Sequence, residues 1–222
     1  EHVLAVLAQH HGDRRGTAFL YRLRTMAFAD LGLDEKALAA AEAAKLVASG
    51  IRQVAIQCQF RHALGYLHLQ REEWPQAVEL GREIEALCRG TDHAINMMLV
   101  GRWYAPALVE AGESAEATRV AERHLELASV ARSDLDRAMA TTVKGMIAAR
   151  AGAQREARAA YDEALPILDA VGERLEAARL RVRRAKLKRE MGEVGAAEAD
   201  ERAAREVFES SGAVRDLARL GA

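Results

Sequence analysis

The side chains in this sequence that could do chemistry are few, and their spacing narrows what they can do. Of seven histidines, His10 and His11 are adjacent, and His62 and His68 stand six positions apart. Two metal ligands on one helix face must lie three or four residues apart, so neither pair fits a metal centre. Cys58 and Cys88 are too few and too ordinarily spaced for a zinc site or a disulfide framework. They read as reduced thiols of a cytoplasmic protein. The chain has no phosphate-binding glycine loop, no His-Glu-x-x-His, no Cys-x-x-Cys and no nucleophile elbow. The expectation is a non-enzymatic chain with no catalytic residues, no metal and no cofactor.

The densest charge is Arg179-Leu-Arg-Val-Arg-Arg-Ala-Lys-Leu-Lys-Arg189. A phosphate-binding patch needs one continuous basic face, whereas these charges surround a helix on several sides. Glu198, Asp200, Glu201, Glu206 and Glu209 follow closely, which predicts charge pairing within one repeat. The totals agree. With 32 basic and 33 acidic residues and a net charge of -1, nothing points to nucleic acid or an anionic membrane. No apolar run approaches the ~18 residues of a membrane span.

The elements that must position these residues are helices. Aromatics make up 5% and prolines number three, a composition that argues against sheets. Alanine recurs every forty residues at Ala37, Ala77, Ala117, Ala157 and Ala197. Gly32, Gly112, Gly152 and Gly192 share a second phase, with Glu72 as the exception. Twelve positions before each alanine stand Thr25, Gly65, Ala105, Gly145 and Ala185, all small. Each unit therefore reads as a helix A, a turn with glycine at the helix end, and a helix B. The small residue and the alanine are expected to let the two helices of one repeat approach closely.

Helix A is expected near 17–31, 52–70, 92–111, 133–151 and 173–191, and helix B near 34–48, 74–88, 114–130, 154–171 and 194–210. Repeats near 17–50, 51–90, 91–131, 132–172 and 173–212 would make one continuous domain over 1–222. Residues 1–16 lack an initiator Met and a basic leader, so they are not expected to be a signal peptide. They read as the end of a preceding helix and 213–222 as the start of a following one, as in a piece of a larger protein. A two-helix unit cannot bury both its faces, so neighbours must stack into a solenoid. Pro106 and Pro166 fall inside helices and are expected to bend them and adjust curvature. Trp103 is expected in the core between helices.

These spacings resemble the tetratricopeptide (TPR) repeat. Leu64-Gly65 with Ala77, and Gly145 with Ala157 and Tyr161, match its pattern, and Tyr21, Phe28 and Trp74 stand at its aromatic sites. Arg61, Gly101, Thr141 and Arg181 replace the first-helix tryptophan, and the period is forty rather than about 34 residues. The pattern is similar to the divergent, long-helix TPR regions of MalT-like bacterial regulators and signalling ATPases; HEAT-like repeats have a compatible length. The resemblance implies a right-handed all-α solenoid of about five repeats whose A helices line a concave groove. It places Arg22, His62 and Arg102 in one column, Met26, Tyr66, Met146 and Lys186 in a second, and Gln59 and Arg179 in a third. The arginines and His62 would form a ladder of donors for carboxylates or peptide backbone. Arg179, Lys186 and Arg189 would extend it, and Tyr66 and the methionines would add apolar contact. The implied role is binding a protein or peptide in signalling or transcription regulation, the alternative being sensing of a small-molecule effector. Helical-repeat binding of nucleic acid is a third reading, which the net charge disfavours.

Overall fold

The computed structural model describes residues 14–90 and 93–221. Expectations for residues 1–13, with His10 and His11 among them, and for 91, 92 and 222 lie outside the described residues. Among the described residues the chain is all α. Its helices are α1 (Arg14–Asp30), α2 (Asp34–Ala48), α3 (Val54–Gln70), α4 (Trp74–Cys88), α5 (Ala94–Glu110), α6 (Ser114–Ala131), α7 (Asp134–Arg150), α8 (Gln154–Ala170), α9 (Arg174–Glu190), α10 (Val194–Ser211) and α11 (Val214–Leu220). The alternation of A and B helices at a forty-residue period makes the fold an all-α, TPR-like solenoid of helix-turn-helix repeats.

The turns explain the period. Each A helix ends in a Schellman arrangement, in which the third residue beyond the helix donates its N–H back to a carbonyl five residues earlier. Leu33 donates to Phe28, Glu73 to His68, Glu113 to Leu108, Ala153 to Ala148 and Glu193 to Lys188. The arrangement needs a left-handed residue in between, which glycine supplies in four of these turns. Glu72, the exception in sequence, adopts the same conformation without glycine, at φ 61°. Arg132 does likewise between α6 and α7, at φ 53°.

The chain divides into two compact units, one ending at Ala107 and the other starting at Leu108. In the first unit, Ala18, Ala48 and Ile56 form a core patch covered by Val47, Ile51 and Phe60. The Gln57 amide ties the α2–α3 turn by donating to the carbonyls of Ala48 (2.8 Å) and Ile51 (2.7 Å). In the second unit, Phe208 is fully buried with Ala178, Ala204 and Ala213, and Leu175, Val182, Val207, Leu217 and Leu220 pack around them. Ala37, Ala77, Ala117, Ala157 and Ala197 are all fully buried. α5 runs unbroken across Pro106, and α8 across Pro166.

What the helical glycines face differs between repeats: Gly145 lies against Ala160 and Tyr161 of its own B helix, whereas Gly65 and Gly81 lie against rings of the next repeat. A Cβ on Gly65 would run into the indole of Trp103, on the A helix of the next repeat. A Cβ on Gly81, in α4, would strike the Tyr104 ring, and one on Gly145 the ring of Tyr161 on its own B helix. Each of these three glycines is a socket for an aromatic ring, because a flat six-membered face fills the space that a missing Cβ leaves.

Ion pairs hold the basic run of α9 in place. Arg184 forks onto Asp200 at 2.7 and 2.8 Å and also reaches Asp162 at 2.8 Å. Lys188 donates to Asp200 at 2.8 Å, Arg189 pairs with Glu201, Arg181 with Asp169 and Arg183 with Glu110. The expectation of pairing inside one repeat is thus corrected in part: Asp200 and Glu201 belong to the same repeat, but Asp162 and Asp169 sit on α8 in the preceding repeat and Glu110 ends α5, two repeats back. Helices stacked side by side bring those carboxylates as near as the repeat's own.

Candidate functional site

The site is built from the A helices of the first unit. Arg22 on α1 is 6% exposed. Its Nη1 reaches only the thioether of Met26, one turn on, at 3.8 Å, and its guanidinium lies 5.0 Å from the centre of the Phe19 ring. Among the described residues no carboxylate pairs with it, and its Nε has no hydrogen-bond partner. Burial, and then the charge of Arg102, pull its pKa down to about 10.

His62, on α3, is 2% exposed. The Trp103 indole N–H donates to its Nδ1 at 3.2 Å, with the two rings edge to face at 6.0 Å. Indole nitrogen is only ever a donor, so Nδ1 is the acceptor and the imidazole proton sits on Nε2. Burial, followed by the charges of Arg22 and Arg102, lowers the His62 pKa to about 3, which keeps the ring neutral. Its Nε2–H has no partner. Trp103 itself stands in the Gly65 socket, so the glycine, the indole and the histidine tautomer form one chain of cause.

Two further polar atoms are stranded in this unit. Gln59, one turn before His62, is 8% exposed; its amide N–H reaches its own helix at 3.4 Å, while Oε1 is unpartnered. Asn96 near the start of α5 is 2% exposed, and its Nδ2 has no partner. A buried polar atom left without a hydrogen bond costs about 1–3 kcal/mol. Sequence reasoning missed Asn96, although one amide in the apolar stretch Ala94-Ile-Asn-Met-Met-Leu-Val100 was a visible signal.

The other expected groove residues divide. Arg102 and Met26 are half-buried on the same set of A helices. Tyr66 is occupied: its hydroxyl donates to Asp30 at 2.5 Å, pinning α3 to the end of α1. In the second unit Met146 is buried and Lys186 is exposed. Arg179 is gripped by Asp216 at 2.8 Å and Glu176 at 2.7 Å, and Arg189 by Glu201. The expected C-terminal extension of the ladder is thereby corrected, because carboxylates of the chain itself already hold two of its three cations.

The second unit has a buried cluster that sequence reasoning also missed. His124 Nε2 lies 2.9 Å from Asp136 Oδ1, and the Ser133 hydroxyl donates to Asp136 Oδ2 at 2.5 Å. Ser133 caps α7 by accepting from the Asp136 N–H, and Ser-x-x-Asp before an apolar run was the signal. The hydroxyl gives its proton to the aspartate and not to the histidine, the reverse of an activated nucleophile. The cluster joins α6 to α7. Cys58 and Cys88 are free and buried, with their sulfurs 4.0 Å apart, and burial pushes both thiols up. No described helix is long and apolar enough to cross a membrane.

No protein-family model and no curated protein matches the sequence. Solved structures do. The chain is similar to the apo form of RapI, with a TM-score of 0.62 and 14% identity over 87% of this chain and 71% of that one. It is also similar to aspartyl phosphate phosphatase F from Bacillus subtilis, with a TM-score of 0.63 and 10% identity. That match covers 97% of this chain and 57% of the phosphatase. At these identities the likeness speaks for the fold, a TPR-type helical repeat.

Proposed function

We propose that this chain is the interaction region of a larger bacterial regulatory protein, binding a protein or peptide segment on the A-helix face of its first unit. The observation that carries the reading is that, among the described residues, four of the five unpartnered buried polar side-chain atoms, on Arg22, Gln59, His62 and Asn96, fall on the A helices of the first unit, the fifth being His124 Nδ1 in the second; each of the four side chains is more than nine-tenths buried. A fold that packs its alanines completely has no structural use for four stranded polar groups, whereas a ligand backbone or side chain would satisfy them. Regular helical surfaces are a recurring platform for peptide recognition, and the helical-repeat fold that this chain shares with RapI and aspartyl phosphate phosphatase F supplies such a surface. The test is a random peptide display library panned against the full chain, with hydrogen exchange on the complexes. Protection is expected on α1, α3 and α5. Binders that protect only the B helices, or no binders at all, refute the reading.

The depth of these atoms favours a second reading in one respect, since a small effector reaches a buried donor more readily than a chain does. A metabolite mixture that raises the melting temperature of the parent, but not of an Asn96→Leu protein, would select it.

A further inference from the structure

A guanidinium taken out of water holds its charge only where something meets it. What meets Arg22 is weak and comes from its own helix: the Met26 sulfur at 3.8 Å and the face of Phe19 at 5.0 Å. Thioether sulfur is a poor acceptor. Phe19 is exposed and Met26 half-buried, so a change of rotamer in either uncovers the guanidinium. His62 stands at the same repeat position as Arg22, forty residues on, and α3 packs directly against α1; it offers a neutral N–H that nothing accepts. A cation and an N–H donor together are complementary to a group with one negative charge and two acceptor oxygens.

We infer that Arg22 and His62 form a carboxylate-binding subsite, covered by Met26 and Phe19, with the His62 donor fixed in place by Trp103. The inference rests on the interaction reading above and narrows it to a ligand that presents a carboxylate. On binding, the carboxylate takes the place of the Met26 sulfur at Nη1 and accepts the Nε2–H of His62. Trp103 is a positioning residue: its N–H occupies Nδ1, which leaves the proton at the nitrogen free to donate. Gly65 makes room for that indole.

The full chain, labelled with nitrogen-15, is titrated with succinate, with its neutral analogue succinamide, and with inorganic phosphate. Saturable shifts at His62 Nε2 and Arg22 Nε are expected with succinate, at least tenfold tighter than with either other probe. Equal responses to succinate and succinamide, or none to succinate, overturn the subsite; tighter phosphate binding overturns the carboxylate assignment. Arg22→Gln should weaken succinate at least tenfold and yet raise the melting temperature, because it removes a buried cation without an acid partner. A variant that melts lower and still binds overturns it. Trp103→Phe keeps a ring in the socket but loses the N–H. It should mix the two His62 tautomers in the imidazole coupling pattern and weaken succinate severalfold; an unchanged tautomer and affinity remove Trp103 from the account. Display peptides that bind α1, α3 and α5 without needing a carboxylate would leave the interaction reading standing and the subsite refuted. Succinate binding with no peptide protection would do the reverse.

Discussion

At the scale of single residues, the Gly65 socket makes the sharpest prediction. Gly65→Ala puts a methyl into the Trp103 indole and should cost about 1–3 kcal/mol, the usual penalty of overpacking. In a double-mutant cycle with Trp103→Leu most of that cost should vanish, because the ring it strikes is gone; additive costs in urea unfolding would sink the account. Glu72 predicts the opposite sign. Its left-handed φ of 61° strains a side-chain-bearing residue by roughly 1–2 kcal/mol, so Glu72→Gly should raise stability by about 1 kcal/mol. A lower melting temperature would show that the Glu72 side chain contributes more than its conformation costs. Neither fact was legible in sequence. Small residues at one phase every forty residues announced a packing rule, but the ring that fills the gap at Gly65 lies on a different repeat, and no local pattern names it.

At the scale of elements, α9 and α10 are joined by Asp200 with Arg184 and Lys188. Burial alone would raise the Asp200 carboxyl, but the hydrogen bonds from Arg184 and Lys188 outweigh it and hold the group below its ordinary 3.8. A carboxyl lowered by folding stabilises the native state fully above that ordinary value and loses the contribution as pH falls through the folded one. Asp200→Asn should therefore cost on the order of 2 kcal/mol at pH 7, less than a fully dry pair because Arg184 keeps some contact with water. It should also flatten the acid limb of stability below about pH 4, and calorimetry across pH 2–7 reads both. The helices themselves were legible to within a few residues, since turn glycines and phased alanines are local signals. The charge partners were not: Arg181 and Arg183 have nearby carboxylates in sequence, yet pair with Asp169 and Glu110. The donor column at Arg22, His62 and Arg102 was visible. That Arg22 has no acid partner, while Arg179 in another column has two, emerges only from packing.

At the scale of the whole molecule, repeats that touch mainly their neighbours unfold less cooperatively than one globular core. Both tryptophans, Trp74 and Trp103, belong to the first unit, whereas helical circular dichroism reports on both units. Urea transitions followed by tryptophan fluorescence and by ellipticity at about 222 nm should not coincide; superimposable curves would mean that the units melt as one. The sockets carry a consequence for how such a chain can change over generations. Repeat proteins are commonly pictured as beads that can be copied, deleted or exchanged. Here Trp103 of the third repeat requires the bare backbone of Gly65 in the second, and a copy of the first repeat in that place would offer Thr25. A duplication or swap at this junction arrives with a collision built in, so the order of the first three repeats is written into their side chains.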